Sequence, residues 1–220
     1  MANTTPEQTL TQMEVTLAAL REPAIHKLLD QGVASTYTSQ AKRTERGLEV
    51  ESTDEKTKDK SKMIVSGTAF GENRIAHFDA HLQGDVTVRN AADGKPMEKD
   101  RIDFSSSNWD DLYGQDYKVS ISQSRTFADG RTQTAETKTD HVSAGKNEAD
   151  YKIHDSKYGD LTLNETITSP LGNRKEYRSV LRDSKGQVLG IIDQVFDLDN
   201  NGDPTKVYTS ARKPRPEKPQ

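Results

Sequence analysis

The segment YGDLTLNETITSPLGNRKEYRSVLRDSKGQVLGIIDQVFDLDNNGD, residues 158–203, decides the fold. Leu161, Leu163 and Ile167 alternate with polar partners, and so do Val188, Ile192 and Phe196. A period of two is that of a strand with one dry face, and such strands belong to antiparallel sheets. Gly159, Gly172, Gly186 and Gly202 punctuate the segment at intervals of 13, 14 and 16 residues. Each sits in turn chemistry: Tyr158-Gly159-Asp160, Pro170-Leu171-Gly172-Asn173, Ser184-Lys185-Gly186 and Asn201-Gly202-Asp203. The spacing fits consecutive hairpins.

Outward from this segment the same grammar continues. Ala76, Phe78, Ala80 and Leu82 point one way while His77, Asp79 and His81 point the other, and Val119 and Ile121 alternate with serines. Asp93-Gly94 and Asp129-Gly130 supply further hairpin turns. No helical segments intervene, so parallel crossover units are excluded. The expected fold is mainly β, an antiparallel up-and-down meander, extended or partly curled. From Arg131 to His141 no large apolar group appears, and a strand polar on both sides belongs to an exposed edge or a single-layer sheet. These Thr-rich, charged strands with their Asp-Gly turns resemble, in architecture, the single-layer sheets of some bacterial surface proteins.

Ahead of the meander, Thr5 caps and Pro6 opens a helix whose Leu10, Met13, Leu17 and Leu20 form one apolar stripe. Pro23 is expected to break or kink it, and Ala24, Ile25, Leu28 and Leu29 form a second short turn closed by Gly32. The helical segment is expected to lie across the sheet. The chain divides into a helical segment (1–31), a β-meander domain (32–211) and a disordered tail (212–220) with Pro214, Pro216 and Pro219.

Composition narrows the function. Leu, Ile, Val and Phe together number 40 of 220 residues, below the roughly 20% at which disorder becomes plausible, though the near-balanced charge argues against it. A thick enzyme-like core is not expected. Cysteine is absent, which removes disulfides, thiolate metal sites and cysteine nucleophiles. With 31 basic against 35 acidic residues, no global field draws the protein to nucleic acid. No apolar run is long enough for a transmembrane segment. The opening MANTTPEQTLTQ lacks a basic-then-apolar secretion signal, which favours a cytoplasmic or leaderless-secreted protein.

Three constellations carry candidate chemistry. Asp197, Asp199, Asn201 and Asp203 place side-chain oxygens at alternate positions about Gly202, as Ca2+ requires. Tyr208 stands where an EF-hand loop has its bidentate Glu, and the plainer reading is a hairpin tip whose Asp and Asn cap their own backbone. His77, Asp79 and His81 share one strand face and could ligate zinc, or simply form a wet face. Ser105 to Tyr113 interrupts the meander as an irregular contact loop whose Trp109 and Tyr113 would meet a partner. No nucleophile elbow or phosphate-cradling loop occurs. The expected function is therefore non-catalytic: an interaction or structural protein presenting a broad polar sheet face and loops to a protein partner or to itself. The alternatives are a carrier of a small apolar ligand in an incomplete barrel closed by the N-terminal helix, and a calcium-dependent binding module.

Overall fold

Alternation of inward and outward side chains runs through the whole β region, and in a computed structural model it produces a ring. The structure describes the backbone of residues 6–74, 79–111, 114–139, 142–143, 146–171, 173–200 and 203–214. One helix, α1 (Pro6–Gln31), precedes β1 (Ser35–Thr44), β2 (Gly47–Asp54), β3 (Lys60–Arg74), β4 (Asp79–Asn90), β5 (Pro96–Asp111) and β6 (Gly114–Phe127). Then come β7 (Thr132–Thr139), the two-residue β8 (Val142–Ser143), β9 (Lys146–Asp155), β10 (Gly159–Leu171), β11 (Arg174–Asp183), β12 (Val188–Leu198) and β13 (Pro204–Arg212).

Every pairing is antiparallel between sequence neighbours, except that β7 pairs directly with β9, with β8 pairing β9 beyond it. β13 returns to β1, from Ser35↔Ala211 to Gln40↔Lys206. The twelve long strands thus form a closed antiparallel barrel rather than the open or partly curled meander expected. Twist accumulates from strand to strand, and large sheets relieve it by curling. Closure also overturns the edge reading of residues 131–141: β7 lies inside the wall, between β6 and β9. Nor does Ser105 begin an irregular loop. β5 continues as strand to Asp111, with Trp109 in register with Asp116.

Twelve strands about 4.8 Å apart and tilted by about 40° enclose a ring roughly 24 Å across between opposite backbones. Inward side chains alone cannot fill it. A helix of about 10–12 Å diameter can occupy the remainder, and α1 does. Leu17 to Glu22 are six consecutive buried residues covering every direction around the helix, the mark of a helix surrounded by protein. The helix backbone runs close to β1, β3, β4, β12 and β13. From the far wall, Glu165 of β10 and Arg125 of β6 reach across to its side chains. α1 therefore packs on the sheet as expected, and does so from inside the ring. It also passes unbroken through Pro23. Proline deprives the Ala19 carbonyl of its helical donor, but the wall holds the turns on both sides in place.

Apolar packing joins helix and near wall in two groups. Leu17 and Leu20 pack with Leu48, Val50, Val65, Val86, Val88 and Phe196. Ala24 and Leu28 pack with Leu161, Leu163, Leu181 and Ile192. At Gly190 of β12 the approach is closest, since a Cβ there would collide with Leu28 Cδ2. The outward positions of the same strands are mostly charged or hydroxylated: Glu49 and Glu51 on β2, Glu148, Asp150 and Lys152 on β9, Thr162 and Thr166 on β10. Such a face suits water rather than lipid. No described helix is long and apolar enough to cross a membrane.

Helix capture by the wall has a direct test. Gly190→Ala is expected to cost about 1–3 kcal/mol by overpacking, read as a lowered Tm. In the double variant with Leu28→Ala, the two costs should fall short of additivity by about 0.5 kcal/mol or more. Additive losses in thermal or urea unfolding would mean that Leu28 does not seat against β12.

Candidate functional site

The wide side of the ring, where the helix backbone stands away from the wall, is crossed by ionic side chains. Adjacent strands place Asp100 (β5), Arg125 (β6), Gln133 (β7) and Asp155 (β9) in one register row. All four face inward and are buried. Arg125 Nε donates to Glu98 Oε1 at 2.6 Å, and Nη1 donates to Gln133 at 2.8 Å and to Glu22 of α1 at 3.2 Å. Arg131, at the turn before β7, pairs with Asp155 at 2.5 Å and with Glu22. Phe127 lies flat beneath the two guanidinium groups, 3.6 Å from Arg131 and 4.9 Å from Arg125 at the ring centroid. On the other flank Arg21 pairs with Glu165 at 2.5 Å, and Glu165 also accepts from Ser179.

Two turn carboxylates join the helix to the end of the barrel. Asp54 Oδ1 accepts the backbone N–H groups of Lys56 and Thr57, while its Oδ2 holds Lys27 of α1. Asp155 does the same, capping Lys157 and Tyr158 with one oxygen and binding Arg131 and Gln133 with the other. Each fixes a hairpin and a cation together. At the last helical turn, Tyr158 donates to Asp30 at 2.9 Å and lies 2.6 Å from His26 Nδ1. His26 Nε2 lies 3.1 Å from Glu22.

Electrostatics of the belt follow from its crowding. Arg125 faces the carboxyl groups of Glu22, Glu98 and Asp100, and one guanidinium cannot offset three buried anions. Burial and the Glu98 charge push Asp100 up to about 8 against the pull of Arg125, so it is protonated at neutral pH. Burial also pushes Glu22 up, but the His26 hydrogen bond and the Arg125 and Arg131 charges outweigh it and hold Glu22 at about 2. His26 is raised, chiefly by its hydrogen bond to Glu22 and against partial burial. With Asp100 neutral, Arg21, Arg125 and Arg131 stand among Glu22, Glu98, Asp155 and Glu165, and Glu22 favours the cationic form of His26. The arrangement binds the helix to the wall, and Asp100 keeps one buried carboxyl oxygen, Oδ2, without a hydrogen-bond partner.

The residues singled out from sequence lie elsewhere. Asp197, Asp199 and Asp203 flank the β12–β13 turn, and Asn201 lies outside the described residues. Asp199 Oδ1 accepts the Asp203 N–H at 3.0 Å, the Asp203 carboxylate is bound by Arg43, and Asp197 lies 3.6 Å from Arg174. Asp79 and His81 are on β4, with their side chains and all of His77 outside the described residues. The backbone of Trp109 is on β5, and Tyr113 lies outside the described residues. Among the described residues no three His, Asp or Glu side chains gather as metal ligands. Sequence reading missed the belt entirely. Its one local sign is Arg21-Glu22, two opposite charges set between the apolar Leu20 and the small Ala24 on a helix that must be buried.

Compared with known proteins, the chain matches no family model, no curated protein and no solved structure.

The belt predicts the pH profile. Asp100 rises from 3.8 to about 8 on folding, so its contribution is complete below about 4 and is lost as pH climbs to 8. His26, also raised, is lost over the same alkaline direction, through its raised value above 6.5. Glu22, lowered from 4.5 to about 2, contributes above 4.5 and is lost as pH falls toward 2. Tm is therefore expected to be higher at mildly acid pH than at pH 8. Asp100→Asn should raise Tm at pH 8 by about 2–4 °C or more, for each kcal/mol gained, with little gain at pH 4. An Asn variant less stable at pH 8 would mean that Asp100 is ionised in the folded protein.

Proposed function

We infer that the chain is a non-catalytic carrier, taking up a small, largely apolar molecule between the lumen helix and the wall of the barrel. The observation that carries this reading is the off-centre seat of α1. The helix backbone runs closest to β12, β13, β1, β3 and β4, whereas on the other side ionic side chains reach between α1 and β6 and β10 beside the apolar residues of the wall. Ligand sites in small barrels lie inside the ring. Several inward residues on that side, Gln123, Tyr151, Ile153 and Ile167, are only half-buried although they point at the lumen.

A partner-presenting role draws less support from this architecture. Each of the twelve wall strands is paired on both sides along part of its length, so among the described residues strand edge is confined to strand ends such as β3 beyond Val65, which has no β2 partner. The exposed large apolar side chains among the described residues, Val33, Met97 and Tyr208, sit on separate elements and form no patch.

Titration with the neutral dye N-phenyl-1-naphthylamine tests the carrier reading. Saturable enhancement with a Kd of about 1–10 μM, reversed by a competing apolar molecule, is the expected result. Enhancement that grows linearly with dye, or saturates only in an unfolded control, would overturn it.

A further inference from the structure

Glu22, His26 and Asp30 recur every four residues, so they share one face of α1 near its end. That face meets the β9–β10 turn. The His26 side chain is 29% exposed, and its Nε2 lies 3.1 Å from Glu22 Oε1. Its Nδ1 lies 2.6 Å from the Tyr158 hydroxyl, which is itself 2.9 Å from Asp30 Oδ1. The His26 and Tyr158 rings meet edge to face, with centroids 5.5 Å apart. One unbroken run of contacts therefore leads from the buried belt through Glu22, His26 and Tyr158 to Asp30 at the rim.

Counting hydrogens along this run fixes the state of His26. Glu22 and Asp30 are ionised at neutral pH, Asp30 being held low by its hydrogen bond to Lys157, so both only accept. Tyr158, raised by burial, keeps its single hydrogen. When that hydrogen goes to Asp30, the Tyr158 oxygen accepts from His26, so Nδ1 carries a hydrogen. Nε2 needs one as well to bond Glu22. All three contacts are satisfied together only by the imidazolium. Removing a proton leaves Nε2–H on Glu22, because an anion is the stronger acceptor, and Nδ1 becomes a bare lone pair. The Tyr158 hydrogen then turns to Nδ1. The Tyr158 and Asp30 oxygens are left 2.9 Å apart with no hydrogen between them, and that contact breaks.

The surrounding charges do not restore it. Asp30 Oδ2 stands 3.6 Å from Nδ1 and is held by Lys157 at 2.7 Å, an exposed pair that grips the turn only weakly. Arg131, from the β6–β7 turn, is bound by Glu22 and Asp155 and lies 5.9 Å from the Tyr158 ring centroid. Lys27 is taken by Asp54. We propose that Glu22, His26, Tyr158 and Asp30 form a proton-operated latch joining α1 to the β9–β10 turn, closed while His26 is an imidazolium and released when it becomes neutral. The latch needs no guest and stands whether or not the lumen carries one. The Glu22 hydrogen bond raises His26 against burial and the Arg131 charge, so release comes above the ordinary histidine value of 6.5.

Nitrogen-15 NMR of the full chain reads the ring directly. At pH 6 both His26 nitrogens are expected to carry hydrogen, and titration should leave the Nε2–H tautomer. Amide hydrogen exchange reads the turn. From pH 6 to pH 9, protection of the Lys157 and Tyr158 amides, corrected for intrinsic exchange, should fall by about fivefold, the worth of one hydrogen bond. The Lys185 and Gln187 amides, capped by Asp183 much as Asp155 caps the other pair, should keep theirs. Tyr158→Phe retains the ring and should remove the pH response at the β9–β10 turn. Asp100→Asn should leave that response in place, because Asp100 is no part of the latch. A neutral His26 at pH 6, equal loss of protection at both turns, or an undiminished response in Tyr158→Phe would overturn the proposal.

Discussion

Twelve strands enclose more volume than their own inward side chains can fill, and every other feature answers to that mismatch. An eight-stranded barrel closes on its side chains, whereas a ring this wide needs an inner element. α1 meets the need only in part, because a single helix cannot sit within packing distance of all twelve strands. It settles against β12, β13, β1, β3 and β4 with leucine, valine and alanine contacts. The remaining gap is spanned by the longest side chains available, arginines from the wall and from the helix, each ending on a carboxylate. The polar composition of the chain is then a consequence of geometry. The side of the lumen away from the helix backbone is bridged by reach as well as by bulk.

Buried ion pairs contribute little net stability, because desolvation offsets most of the Coulomb gain. What they supply here is position. Glu22 is gripped by two arginines, one from β6 and one from the turn before β7, and each is held by further wall carboxyl groups. Rotating the helix by one residue would leave several charges unpaired in a low-dielectric interior, an error far costlier than the pairs are favourable. Apolar contacts with small residues such as Ala24 would tolerate such a slip more easily. The charges set the register of a helix that its greasy face alone would leave loose.

Much of this architecture is written locally. The turns at Asp93-Gly94, Asp129-Gly130, Tyr158-Gly159 and Lys185-Gly186 all form, and Gly94, Gly130, Gly159 and Gly186 adopt the left-handed backbone that those turns need. Asn90, Asp129, Asp155 and Asp183 cap them through side-chain oxygens. Closure is not written locally, since Ser35 meets Ala211 across nearly the whole chain and no short-range pattern encodes that. Residues 131–137 mislead for a physical reason. A strand between water and a polar lumen alternates polar with polar, and Arg131, Gln133 and Thr137 look no different from Thr132, Thr134 and Glu136 until the ring is seen. The ionic belt is hidden for the same reason, because its members come from α1, β5, β6, β7, β9 and β10 and converge only in three dimensions.

The seam between β1 and β13 joins the first and the last of these strands to leave the ribosome. Without that seam the wall would be a gutter with two raw borders, and the charged side chains around α1 would stay open to water; the vessel needs residues from both ends of the β region before its lumen can be dry.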